Sequence, residues 1–290
     1  MLLTKQSGLL LREPNLVNAD LSSVIDWMHN TLGINVSPTR IAFYKKHLNS
    51  KEKIETLAEY RKYILIHKEV DDFLRVCKVF REYPNEVIFD KIKKIASGTH
   101  YREKNIECKD PSRNYLYELS IASKFIKAGF EVDVSGDCDV VVKAYDKTVF
   151  IECKRLKSES QLAKRIKYAN KQIIKRIGSS KKDKIAYVAI DVTDLIITDD
   201  CVKVYENVEA FEKATQLVLK SFALKYKEKT KESVNKRVLG VIFSISNIGL
   251  IQSQSENRDQ IINCHSLYVV GCERTEIDYL FNNNVLSQLV

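Results

Sequence analysis

Asp139-Val-Val-Val-Lys-Ala-Tyr-Asp-Lys-Thr-Val-Phe-Ile-Glu152-Cys-Lys154 is the stretch whose reading decides this fold. Valine, isoleucine, phenylalanine and threonine fill two runs, and the polar pair Asp146-Lys147 separates them, so the segment reads as two β-strands joined by a tight turn. Strand side chains alternate between faces. Glu152 and Lys154 therefore share one face, and Ile151 and Cys153 share the other. Folding back across the turn brings Asp139 toward Glu152. Two carboxylates and an ammonium then meet at one edge of a sheet. Carboxylate oxygens suit a hard divalent cation, and a neighbouring lysine can hold or activate a water.

The four letters Ile-Glu-Cys-Lys occur twice, at 106–109 and at 151–154. The first copy follows a polar run, has no apolar strand before it and runs into Asp110-Pro111, so it reads as a charged loop. Only the second has an apolar hairpin, an upstream aspartate and a basic segment after it. Context, not the short motif, separates a candidate site from a hairpin with solvated charges at its rim.

Upstream, Asn114 to Ala128 reads as a helix with Ser112 as its cap and Gly129 as its stop. Glu118 shares a face there with Ile121, Ala122 and Phe125. A glutamate on an apolar face needs a cation, or a route to water. Asp137 is a second candidate beside Asp139, although Gly136 places it in the turn.

Downstream, Lys154 to Lys184 holds twelve Lys or Arg against two acids, while the whole chain of 290 residues carries a formal charge of +9. Leu162 to Ile177 reads as an amphipathic helix. Leu162, Ile166, Ala169, Ile173 and Ile177 line one side, and Lys164, Lys167, Lys171 and Lys175 line another. With Lys157 and Arg165, these lysines form a basic surface suited to a phosphate backbone, although a solvated face has the same composition.

Asp139, Glu152 and Lys154 in this order resemble the PD-(D/E)xK nuclease superfamily, which includes restriction endonucleases and Holliday junction resolvases. Cys138 stands where that superfamily often has proline. The resemblance covers residues 113–200 and implies a central mixed sheet flanked by helices, the restriction-endonuclease-like α/β core. It implies Mg²⁺ or Mn²⁺ held by Asp139, Glu152 and the carbonyl of Cys153, with Glu118 from the preceding helix, and Lys154 assisting attack of water on a phosphodiester. Gln161 or Gln172 would be a further polar contact. The implied substrate is nucleic acid, DNA ahead of RNA, in an endonuclease of restriction or phage defence that pairs as a homodimer. The alternative is a module of the same shape that binds nucleic acid or assembles with partners without cutting.

Residues 1–105 read as an all-helical domain for recognition, docking of a partner protein or oligomerisation, and residues 106–290 as the nuclease-like domain. In the first, Asp20 to Leu32, a segment opened by Ser37-Pro38, Glu52 to about Tyr83, and Val87 to Ala96 have helical spacing. In the second, helix 114–128, strand 130–135, the hairpin, helix 160–177, strand 184–192, helix 206–228 and strands 237–246 and 266–271 follow in turn. The apolar runs at 185–190 and 238–243 read as interior strands. The seven cysteines, 77, 108, 138, 153, 201, 264 and 272, contain no Cys-x-x-Cys pair. They read as reduced thiols of a cytoplasmic protein. Cys264, His265 and Cys272 could be grouped as a zinc site, but Leu267 to Gly271 reads better as a buried strand. No apolar run is long enough to span a membrane.

Overall fold

A computed structural model describes the chain outside residues 1–9, 12–13, 51–53, 103–109, 137, 179–182, 197–202, 253–258 and 290. The duplicate Ile-Glu-Cys-Lys, Asp137, Cys108 and Cys201 lie outside the described residues. A short strand β1 (Leu10–Leu11) precedes helices α1 (Pro14–Asn30), α2 (Arg40–Leu48), α3 (Leu57–Phe80), α4 (Asn85–Ala96) and α5 (Pro111–Lys127). Then come β2 (Glu131–Asp133), β3 (Val140–Ala144), β4 (Lys147–Arg155), α6 (Leu162–Ile177), β5 (Lys184–Asp191), α7 (Thr193–Ile196) and β6 (Val204–Tyr205). Helices α8 (Val208–Lys225) and α9 (Lys227–Ser233), strands β7 (Val238–Gln252) and β8 (Asp259–Gly271), and helix α10 (Glu276–Leu286) complete the order.

The fold is α/β, built on one mixed sheet in the order β1-β8-β7-β5-β4-β3-β2, with β6 beside β7. The hairpin β3–β4 pairs antiparallel, with Val140 opposite Ile151. Strands β4 and β5 are parallel neighbours, so α6 between them is the crossover that a parallel connection requires. Side-chain alternation divides the core. Val149, Ile151 and Cys153 of β4 join the helices α1–α5 in one buried cluster, and that cluster runs from Val17 to Leu289 across both halves of the chain. Ala186, Val188 and Ile190 of β5 join α6 and α8 in a second. Among the described residues no helix is long and apolar enough to cross a membrane.

Several boundaries differ from the sequence reading, each for a local reason. The hairpin turn is Tyr145-Asp146, because Tyr145 takes the left-handed region (φ 55°) and Lys147 pairs with Ala144. Helix α5 starts at Pro111, and Asp110 rather than Ser112 caps it by accepting the Arg113 amide (3.2 Å). Helix α2 starts at Arg40, because Ser37 and Pro38 form a turn ahead of it. The helix expected over 206–228 breaks at Tyr226. Strands β7 and β8 extend well beyond 237–246 and 266–271. Ser244, Ser246 and Asn263 interrupt their apolar pattern but are buried and hydrogen-bonded.

Candidate active site

The hairpin register, continued one residue past Val140–Ile151, sets Asp139 opposite Glu152. The Asp139 carboxylate accepts the backbone amide of Cys153 through Oδ2 (2.7 Å), which fixes it at the strand edge. Lys154 Nζ then donates to three oxygens: the Cys153 carbonyl (2.9 Å), Glu152 Oε2 (3.1 Å) and Asp139 Oδ2 (3.4 Å). Glu152 is fully buried. Its other oxygen meets Arg176 of α6 and lies 3.4 Å from the Cys138 thiol. A buried carboxylate survives only if it is neutralised, and here two cations share that task.

Glu118 projects from α5 toward the same edge, but its direct partner is Lys91 of α4 (3.4 Å). Its pKa is pushed up to about 7, by burial first and by the negative charge of Asp139 second, while Lys91 and Lys154 oppose the rise. Glu118 is therefore electrostatically part of the site without touching Lys154 or Glu152 in the hydrogen-bond network. The helical half of the chain contributes to the site through Lys91, which no sequence pattern singled out.

The donor set matches a hard divalent cation in kind: two carboxylate oxygens and a main-chain carbonyl already converge on one positive charge. Among the described residues no three His, Cys, Asp or Glu side chains group as a metal cluster. That agrees with the geometry, since the third oxygen comes from the backbone and Glu118 is turned to Lys91. For a metal to be held by these oxygens, Lys154 must leave them, while Arg176 sits on the other oxygen of Glu152. The zinc grouping has no such convergence, because His265 instead meets Asp72 (2.6 Å).

Helix α6 runs beside this edge. Lys164, Lys167, Lys171 and Lys175 are exposed on it, and Arg165 and, ahead of the helix, Lys157 are half-buried. Gln172 and Arg176 line a groove between α6 and the hairpin, together with Tyr168, whose ring centroid lies 6.0 Å from Lys154 Nζ. Arg176 and Tyr168 were legible only as members of a basic helix; their spacing of eight on the hairpin side was the available signal. Gln161 lies in the short 3₁₀ turn before α6.

The strand that bears the site bears a second charge cluster on its other face. Arg155 donates to Asp194 (2.6 Å) and Asp110 (3.2 Å). Glu69 of α3 receives Arg40 (2.8 Å), Arg102 (2.5 Å) and Arg113 (2.9 Å). Asp72, one turn further along α3, holds Lys68 (2.7 Å), Ser246 (2.7 Å) and His265. Comparison with known proteins finds no matching family, no matching curated protein and no matching solved structure.

Proposed function

We propose that this protein is a metal-dependent nuclease on a restriction-endonuclease-like core. The observation that carries the reading is the convergence of Asp139 Oδ2, Glu152 Oε2 and the Cys153 carbonyl on the Lys154 ammonium. Asp139, Glu152 and the Cys153 carbonyl would hold Mg²⁺ or Mn²⁺, with Glu118 at the outer edge. When bound, the ion supplies Lewis-acid stabilisation and lowers the pKa of a coordinated water. Lys154, released from the three oxygens, stays tethered beside them and offers its protons to the water or to a phosphate oxygen. Glu118 would have to leave Lys91 to take up the proton that the water loses. The lysines of α6 offset the charge of the backbone. DNA ahead of RNA, a restriction or phage-defence role in the cytoplasm, homodimers and a partner docked on the N-terminal helices are carried by the family resemblance alone.

A second reading has one observation in its favour. Glu152 is clamped between Arg176 and Lys154, as in a structural ion pair, which suits a module that binds nucleic acid without cutting it. Degradation of circular and linear DNA and of RNA with Mg²⁺ or Mn²⁺, by the wild type beside Glu152→Ala and Lys154→Ala, separates the two. The nuclease reading expects each variant to lose on the order of 100-fold in rate. Equal rates in all three proteins sink it. Retained nucleic-acid binding without cleavage under any metal establishes the second reading.

A further inference from the structure

The groove beside the site has a construction that a phosphate-binding surface alone does not need. It lies between α6 and the hairpin and encloses about 820 Å³. Its floor is apolar. Val141 and Phe150 are direct cross-strand partners, on the same strand face as Asp139 and Glu152 and one pleat further along. The floor therefore begins about 7 Å from the carboxylate pair. Its wall and rim are Tyr168, Lys171, Lys175 and Arg176.

Tyr168 is the informative residue. It is 56% exposed on a helix whose remaining exposed positions are mostly lysine. Lys164, Lys171 and Lys175 flank it at offsets of four, three and seven, so one aromatic face sits within a row of ammonium groups. The same ring stands 6.0 Å from Lys154 Nζ, the atom that holds the three oxygens together. An aromatic ring interleaved with cations is how proteins hold unpaired nucleic acid, because bases stack on the ring while the cations follow the backbone. In a duplex both faces of each base are already covered by neighbouring bases. Neither Tyr168 nor the Val141–Phe150 floor could then be used, and the lysines alone would suffice.

We infer that the substrate enters this site as a single strand, or as an unpaired end or flap, with a base stacked on Tyr168 beside the phosphate to be cut. The inference rests on the nuclease reading for the word "cut" but not for the stacking. Tyr168 is then a specificity-determining residue: it selects the unpaired form and sets which phosphate lies against Asp139, Glu152 and Lys154.

The test uses the full chain in chelator, so that nothing is cleaved. Fluorescence anisotropy compares a labelled single-stranded DNA oligonucleotide with the duplex of the same sequence. A parallel sample carries 2-aminopurine, whose emission is quenched on stacking. The expected results are tighter binding of the single strand, quenching on binding, and a loss of roughly tenfold in single-strand affinity in Tyr168→Ala. Duplex affinity should stay within about twofold, since it reads the lysines alone. Tyr168→Phe should retain both affinity and quenching. Because Tyr168 is exposed, Tyr168→Ala should unfold at the wild-type temperature, which separates lost stacking from lost fold. Equal affinity for duplex and single strand, or wild-type affinity and quenching in Tyr168→Ala, overturns the inference. Cleavage by Lys154→Ala answers the separate question. Lost cleavage beside an indifferent Tyr168→Ala removes only the single-strand inference, and undiminished cleavage beside Tyr168-dependent stacking removes only the nuclease reading.

Discussion

Strand β4 presents two clusters of opposite charges, one on each face, and they are built differently. On the α6 face, Lys154 is the cation common to Asp139, Glu152 and the Cys153 carbonyl, and a groove of about 820 Å³ opens beside it. On the α5 face, Arg155 enters a network in which Arg40, Arg102, Arg113 and Arg155 are shared among Glu69, Asp110 and Asp194. Arg102, Arg113 and Arg155 line a cavity of about 40 Å³, room for a water or two, and Glu69 and Arg102 border a second of about 320 Å³, smaller than the groove at the site. A guanidinium holds several acceptors in a fixed planar fork and stays charged, whereas an ammonium is a point charge on a flexible stem. A network of arginines therefore locks elements together. A set of oxygens that share one lysine, with a single arginine on the other oxygen of Glu152, can exchange that lysine for another cation. This difference separates a scaffold from a candidate site more clearly than the presence of carboxylates does.

The largest expected effect follows from the locked side. Glu69 is the only carboxylate bonded to all three of Arg40, Arg102 and Arg113 among the described residues, and burial is outweighed by those cations, which hold its pKa far below the usual range. Glu69→Gln leaves the buried guanidinium groups of Arg40 and Arg113 and the half-buried one of Arg102 short of charge, and should cost about 3–5 kcal/mol of stability, read from urea or thermal unfolding. Lys154→Ala, measured the same way, should cost less, because Glu152 keeps Arg176 and Asp139 keeps the Cys153 amide. A loss below about 1 kcal/mol for Glu69→Gln would mean that the network behaves like a set of surface pairs, and the contrast between the faces would fail.

The two clusters were also unequally visible in the chain. The site follows from strand alternation and cross-strand pairing within sixteen residues, which alone set Asp139, Glu152 and Lys154 together at one edge. The network draws on α2, α3, the segment around Arg102, the start of α5, the end of β4, α7 and β8, and no window contains more than two or three of its members. Glu69 and Asp72 lie in a helix buried nearly all round from Ile64 to Phe80, where an amphipathic reading assigns charged residues to solvent. The same burial hid the true lengths of β7 and β8, since Ser246, Asn263 and His265 are polar because they face Asp72. Lys91 and Arg176 were missed for a related reason: each completes the site from another element, and only the three-dimensional packing supplies that pairing.

The buried histidines and the site's edge should also respond to pH with opposite sign. Burial lowers His67 and His265 from 6.5 to about 4. Between those values the unfolded chain binds more protons than the folded one, so their contribution is complete above pH 6.5 and is lost as pH falls toward 4. Asp194, which Arg102 and Arg155 hold at about 2 against burial, gives up its contribution only below its ordinary value of 3.8 and so adds nothing to that loss. Glu118 behaves inversely. Raised from 4.5 to about 7, it favours the folded state below pH 4.5, and that contribution is lost as pH rises through 7. Unfolding temperatures measured across pH 5 to 8 should therefore fall by several degrees on the acid side, less so in His67→Phe. The decline on the alkaline side should be smaller, and absent in Glu118→Gln. A variant with the wild-type slope on its own side shows that its residue is not the group titrating.

The smallest effect is the one that asks whether the open face really exchanges its cation. Arg176 reaches Glu152 from α6 with a fifth of its side chain exposed, so unlike Arg113 it can swing outward into the groove. If Glu152 serves a metal, Arg176 and the ion compete for the same carboxylate. Arg176→Gln keeps a hydrogen-bond donor but removes the charge, and Mn²⁺ affinity measured by calorimetry should rise several-fold, about 1 kcal/mol. Weaker Mn²⁺ binding would mean instead that Arg176 positions Glu152 for the ion. No Mn²⁺ binding in either protein would place Glu152 with Glu69, as one more locked carboxylate, and the distinction between the two faces of β4 would reduce to depth of burial.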